Sequence, residues 1–585
     1  MAIAAVVFAA CGPSSNETQG LVSIEVQPAN ATITLPSGVM PVDYTAIGHY
    51  KDGHTHVLSD ATFALDTSAS ALGTLSVAEF NATGAAAGTG NVIATDGMAT
   101  GSTTVNVVIH NVHVDPTAPP DAANDFPDTS PMGAQSPVID YPLDGAVMPA
   151  TVKAPDVQWE GANTAADLYR VRLVAGLATV DTILAGGPTF KLDSAPLAAD
   201  WQLLIASSGG QPITVQVDHW DATNGAQGGA PVHVRTVAAN VTGAIYYWNL
   251  SQGRMERIDA NGRGLAIPNP PASPSDANNH CVACHVVSRD GRYMSGELWG
   301  GGLQGAVFDL SDPAVQMGNP APTLAPVTST SYTSLFSTFN PDATRLLINP
   351  GTQLQLIDPH TGAAVATQGT PLPTANAAHP CWSPDGTSIV YVANILANGA
   401  AAGWAVDYTS GDLAVIPVTG PDTFGASATI VPSASVDPAF AAPSWPSFAP
   451  DSSWIAYGAG VNSRGRNSVN NVETTLPGSL FLVQKTGGTP TRLDIACSGA
   501  RNCFLPNFSP YDDGGYFWLV FYSLRDYGNP LAGTKGTTRR QMWVTAIDKS
   551  KLGTADASSV PYWIPDQDTT TENMSAFWAL PPPLQ

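Results

Sequence analysis

A short turn motif recurs five times in the second half of this chain, and a repeat constrains architecture more tightly than composition does. Its fullest copy is Cys381-Trp382-Ser383-Pro384-Asp385-Gly386, followed by Ser388-Ile389-Val390-Tyr391. The others are Val287-Ser288-Arg289-Asp290-Gly291, Phe339-Asn340-Pro341-Asp342, Phe448-Ala449-Pro450-Asp451 and Phe508-Ser509-Pro510-Tyr511-Asp512. Aligned on Asp290, Asp342, Asp385, Asp451 and Asp512, the copies are 52, 43, 66 and 61 residues apart. That is near the length of a four-stranded propeller blade with loop insertions. Apolar runs flanking each turn predict an inner strand pair, and segments such as Leu354–Asp358 or Leu480–Val483 predict outer strands. Two pieces are left over. Residues 243–250 read as an outer pair without a turn motif, and residues 573–580 as an inner strand without a successor. A ring leaves its first and last strands unpaired unless they share a blade. Joining the two pieces predicts a sixth blade.

Over residues 241–585 this pattern resembles the propeller of TolB-type periplasmic proteins. Upstream, residues 21–110 open on Val22-Ser23-Ile24-Glu25-Val26 and close on Thr103-Thr104-Val105-Asn106-Val107-Val108, alternation that predicts a small β-sandwich. The order of its strands and turns resembles bacterial immunoglobulin-like modules. Residues 111–136, with Pro116, Pro119, Pro120, Pro127 and Pro131, predict an extended linker. In residues 137–240, Trp159 and Tyr169 on successive alternating strands resemble a fibronectin type III domain, which implies that the two rings pack between two sheets. The predicted fold class is therefore all-β: two β-sandwich domains followed by a six-bladed β-propeller. With 55 Gly and 49 Pro in 585 residues, the chain has the turn content that many short strands require.

Charge excludes one class of partner. Lys and Arg number 23 against 47 Asp and Glu, a net charge of −24 that opposes binding to a phosphate backbone, so no nucleic-acid partner is expected. The N-terminal residues 1–10 are apolar and run into Cys11, after which Gly12-Pro13-Ser14-Ser15-Asn16-Glu17 turns polar. Phe8-Ala9-Ala10-Cys11 resembles a bacterial lipoprotein signal, which implies lipidation of Cys11, residues 1–20 as signal and tether, and anchoring at the outer membrane or cell surface. The family's pattern has Leu where Phe8 stands and a Lys or Arg ahead of the apolar run, and neither is present here.

Six cysteines include His280-Cys281-Val282-Ala283-Cys284-His285. C-x-x-C-H is the attachment motif of c-type haem, in which two thiols add to the vinyl groups and the histidine binds iron. Cys281, Cys284 and His285 are the expected haem residues. His379 stands six residues before Asp385, as Cys284 stands six before Asp290, so register places both at one mouth of the channel and makes His379 the expected second ligand. Met574 is the next candidate, followed by Met294 and Met317. The other readings of the motif are a local Cys281–Cys284 disulfide or half of a zinc site. Cys497 and Cys503 are expected to close a short loop as a disulfide in an oxidising compartment, and Cys381 to be a buried small hydrophobe.

Neither G-x-S-x-G nor G-x-x-x-x-G-K-[ST] occurs, so neither a hydrolase elbow nor a phosphate-binding loop is expected. Acidic propeller loops can hold calcium, but no cage can be assigned from sequence. The functional expectation is an exported lipoprotein carrying haem c in its propeller, for electron transfer or redox sensing with a redox or envelope protein partner. The alternative is a haem-free envelope scaffold whose propeller binds a protein or a glycan.

Overall fold

Turn residues divide most of this chain into segments too short for helices. The computed structural model describes residues 20–581 except 38–40, 162–166, 188, 240, 260–261, 268–269, 302–303, 312–331, 466–477 and 500–501. Cys11 and Met317 lie outside the described residues. The fold is all-β. Among the described residues the α-helices are Thr67–Leu72, Ala198–Ser208 and Asp494–Cys497. No described helix is long and apolar enough to cross a membrane.

The chain forms two compact units. The first comprises residues 1–136, 163–186 and 195–231. Its longest strand, Ala99–Val114, buries Val105, Val107 and Ile109 and turns Thr104, Asn106 and Val108 partly outward, the alternation of a half-buried strand. It pairs antiparallel with Gly88–Asp96, and parallel with both Ala31–Leu35 and Ala178–Ala185. The strand thus runs through the expected boundary at 110. The expected linker at 111–136 is also corrected: Ala118, Ala122 and Phe126 are buried with Leu168 and Ile183. Residues 111–114 continue the ladder against Val180–Ile183, and from Pro116 on the proline-rich segment leaves it while its apolar residues find a core. Arg170 fixes it, donating to the Pro127 carbonyl at 2.8 Å while paired with the buried Asp218.

The second unit comprises residues 137–162, 187–194 and 232–585, so the expected 137–240 domain is divided between the two. Trp159 and Tyr169, expected to share one core, fall in different units. Trp159 packs its ring against Phe190, whereas Tyr169 lies against His219. The reason is a contact distant in sequence: the Asn529 side-chain amide donates to the carbonyls of Trp159, Thr189 and Phe190, tying those segments to residues 137–585.

Six sheets, antiparallel apart from the pairing of Gln368–Gly369 with Thr423–Phe424, follow in chain order within this second unit. Their innermost strands are β1 (Val282–Val287), β2 (Phe336–Phe339), β3 (Ala378–Trp382), β4 (Ala442–Phe448), β5 (Cys503–Phe508) and β6 (Asn573–Ala579). The two leftover pieces pair as expected: β6 joins Ala244–Asn249, with Ile245 opposite Trp578 and Tyr246 opposite Phe577. Turn chemistry explains the recurring motif. The Asp385 carboxylate accepts from the Ser383 hydroxyl at 2.5 Å and the Thr387 amide at 3.0 Å, and Ser383 Oγ accepts from the Ser388 amide. Such side-chain-to-backbone bonds set a tight turn before the next strand.

Candidate functional site

β1 to β6 together line one cavity of about 190 Å³, to which each contributes residues. In five of the six strands the pairing register slips at a non-glycine residue with positive φ: Cys284 at 48°, His379 at 49°, Trp445 at 56°, Leu505 at 54° and Ser575 at 53°. A β-bulge re-aims the side chain that it carries. These five, with Phe336 of β2, form one layer of the channel. The register that made Cys284 and His379 equivalents in sequence is therefore real, and five of the six strands bulge at that position.

Within that layer His379 is only 3% exposed. Its ring stacks on Trp445 at 4.2 Å between centroids and meets Phe336 at 4.4 Å. Its Nδ1 lies 3.0 Å from the Tyr408 hydroxyl, which itself donates to the Pro443 carbonyl at 2.7 Å. Since the Tyr408 proton is committed to Pro443, Nδ1 must donate, which makes Nε2 the bare nitrogen. Nε2 is buried without a protein partner. His285, half-buried, sets Nε2 3.4 Å from the Tyr246 carbonyl and leaves Nδ1 buried without a protein partner. Burial pushes the His379 pKa down to about 3 and that of His285 down to about 4, so both imidazoles are neutral at pH 7. A neutral imidazole with one N–H fixed by the protein and one free lone pair is the form that ligates metals.

The four expected haem residues do not all meet. Cys284, His285 and His379 line the channel, but Cys281 lines a second hollow of about 400 Å³ with Gln252, Arg254 and His280. Cys281 precedes the strand Val282–Val287, whereas Cys284 sits at its register slip, so the motif feeds a bulged strand rather than a helix that would present both thiols together. Burial, and then the Glu297 carboxylate, raise the pKa of both thiols, so both are protonated at pH 7. Met574 packs against Leu505 and Tyr522, a cluster that Trp445 of the channel also touches, and Met294 is fully buried in the core between sheets. Cys497 and Cys503 stand next to each other as thiols. Among the described residues no group of three or more His, Cys, Asp or Glu converges to hold a metal ion.

Sequence reasoning missed Tyr408, which sits on a loop with no motif, and the role of Cys381. Cys381 lines the channel half-buried and its sulfur takes the backbone N–H of Phe448 in the next blade. Thr338 takes that of Trp382 at 3.0 Å, Ser447 that of Phe508 at 3.0 Å, and Asn507 that of Trp578 at 2.8 Å. Four blade-to-blade latches thus occupy one register position of the channel wall.

No protein-family model matches the chain and no curated protein does. Solved structures similar to it include a putative TolB from Agrobacterium tumefaciens, 14% identical over 55% of this chain and 98% of that one, with a TM-score of 0.29. Another is a nidogen/laminin complex, 8% identical over 57% and 97%, with a TM-score of 0.34. A third is an ACO/RPE65 chimera, 11% identical over 79% and 98%, with a TM-score of 0.33. Likenesses at this level carry no argument, and the fold rests on the chain's own sheets.

Proposed function

We propose that this is an exported, lipid-anchored propeller protein of the cell envelope that holds haem c at its channel and exchanges electrons with an envelope partner. The observation carrying the reading is that Cys284 and His285 of a C-x-x-C-H motif share a channel with His379, and that both imidazoles keep a bare, buried nitrogen there. By residue type the donors suit the group, Cys281 and Cys284 for covalent attachment and His285 and His379 for its iron, but Cys281 lines the neighbouring hollow and would have to turn toward the channel to hold it. Bound there, haem would supply one-electron chemistry, with potential set by its axial ligands and burial. Tyr408 fixes the His379 tautomer, while Trp445 and Phe336 hold its plane and keep water from it. Matured in a host competent for cytochrome c assembly, the protein is expected to show a visible haem spectrum that survives denaturation. Replacing Cys281 and Cys284 together by Ala should abolish covalent attachment, and His379→Ala should change the ligation spectrum while attachment persists. A protein without haem, with Cys281 and Cys284 oxidised to each other, would overturn the proposal.

A second reading is favoured by the different hollows that the two cysteines line and by the size of the channel. Ligand pockets usually measure about 300–1,000 Å³, and about 190 Å³ suits a smaller molecule. On this reading the propeller is a haem-free scaffold, and the same spectrum decides between the two.

A further inference from the structure

Pro341, Pro384 and Pro450 stand just before the aspartate of their turn motifs and Pro510 two residues before Asp512, and all four line the channel. The blade of β1 carries Arg289 there, the single charged side chain among the described lining residues, His aside. It is half-buried and makes no hydrogen bond or ion pair with any described residue. Its neighbours in kind are paired: Arg292 with Asp309 and Arg345 with Asp422. In a chain where acidic residues outnumber basic ones 47 to 23, a channel arginine without a carboxylate is conspicuous by position.

We propose that Arg289 is a carboxylate-binding residue of the channel. A half-buried guanidinium without a partner is a desolvated charge that an anion would neutralise, and burial already pulls its pKa down. Its planar fork of N–H donors matches the two oxygens of a carboxylate. Arg289 is the single cationic side chain among the described lining residues, His aside, and one two-donor fork matches the single charge of a carboxylate better than the higher charge of a phosphate. Size bounds the rest of the ligand. A cavity of about 150 Å³ takes a benzene ring, so about 190 Å³ has room for a single-ring acid. The carboxylate has two sources, a free acid of that size or the propionate of a haem bound as proposed above; the second rests on that proposal.

Two arms separate them. In the first, haem-free protein is titrated calorimetrically with benzoate, with benzyl alcohol as the neutral control. Binding of benzoate that Arg289→Gln weakens at least tenfold and Arg289→Lys partly keeps identifies a free acid. In the second, the midpoint potential of haem-loaded protein is followed from pH 5 to 8. A change in that pH profile in Arg289→Gln, without benzoate binding in the first arm, identifies a propionate. Melting of the ligand-free variants no lower than wild type shows that they fold. Arg289→Gln indistinguishable from wild type in whichever arms can be run overturns the assignment, whether or not haem is ever bound.

Discussion

His379 and His285 are buried in the form that binds no proton, and that choice makes stability depend on pH. An unfolded histidine titrates near 6.5, whereas these two stay neutral in the fold down to about 3 and about 4. Below pH 6.5 the unfolded chain binds protons that the native state does not, so haem-free stability falls as pH falls, with a slope approaching about 1.4 kcal/mol per pH unit for each imidazole. Carboxylates whose pKa the fold lowers, such as Asp385, lose their contribution only below the unfolded value of 3.8. Between pH 6.5 and 4.5 the histidines therefore dominate. Melting temperatures measured across that window should drop more steeply in wild type than in His379→Gln; parallel curves would show that His379 is not kept neutral. The motif around His285 was legible in sequence because C-x-x-C-H carries its own chemistry. The tautomer of His379 was not, because it depends on Tyr408, 29 residues away and on a loop.

One register position on the inner strands does a different job from its neighbours, and only the structure reveals it. Thr338, Cys381, Ser447 and Asn507 share no side-chain chemistry except an acceptor, so no pattern search would group them. The turns beside them were legible, since Ser-Pro-Asp-Gly has a local mechanism independent of context. A latch matters because it satisfies a backbone N–H in the channel wall. Leaving a buried donor unsatisfied costs about 1–3 kcal/mol. Ser447→Ala, which orphans the Phe508 amide, should lower unfolding free energy in urea by about that amount, as should Cys381→Ala for Phe448. Cys381→Ser, which retains an acceptor, should lie close to wild type. If Cys381→Ala and Cys381→Ser unfold alike, the sulfur is only filling space, as the sequence alone had suggested.

At the scale of the molecule, sequence located the ring but misjudged what belongs with it. Five turn copies and two leftover pieces were enough to place β6 beside Ala244–Asn249, because a strand edge must be covered wherever the chain supplies the cover. The boundary at 136 stands, but the expected 137–240 domain is divided because composition reports local stiffness, whereas Asn529 and its three carbonyls report a contact that sequence distance hides. Closure is the testable consequence. Trp578 is 6% exposed, its indole N–H donates to the Thr242 carbonyl, and its backbone N–H is held by Asn507 of the preceding blade. Trp578→Ala should cost about 3–5 kcal/mol, as truncation of a buried aromatic does. Deleting residues 573–585 removes the whole partner strand as well, against a stability of only about 5–15 kcal/mol for a domain. The deletion should unfold or aggregate residues 137–585 and strip hydrogen-exchange protection from Ala244–Asn249. The deletion variant melting with the full-length protein, with those amides still protected, would mean that the first and last strands do not close the ring.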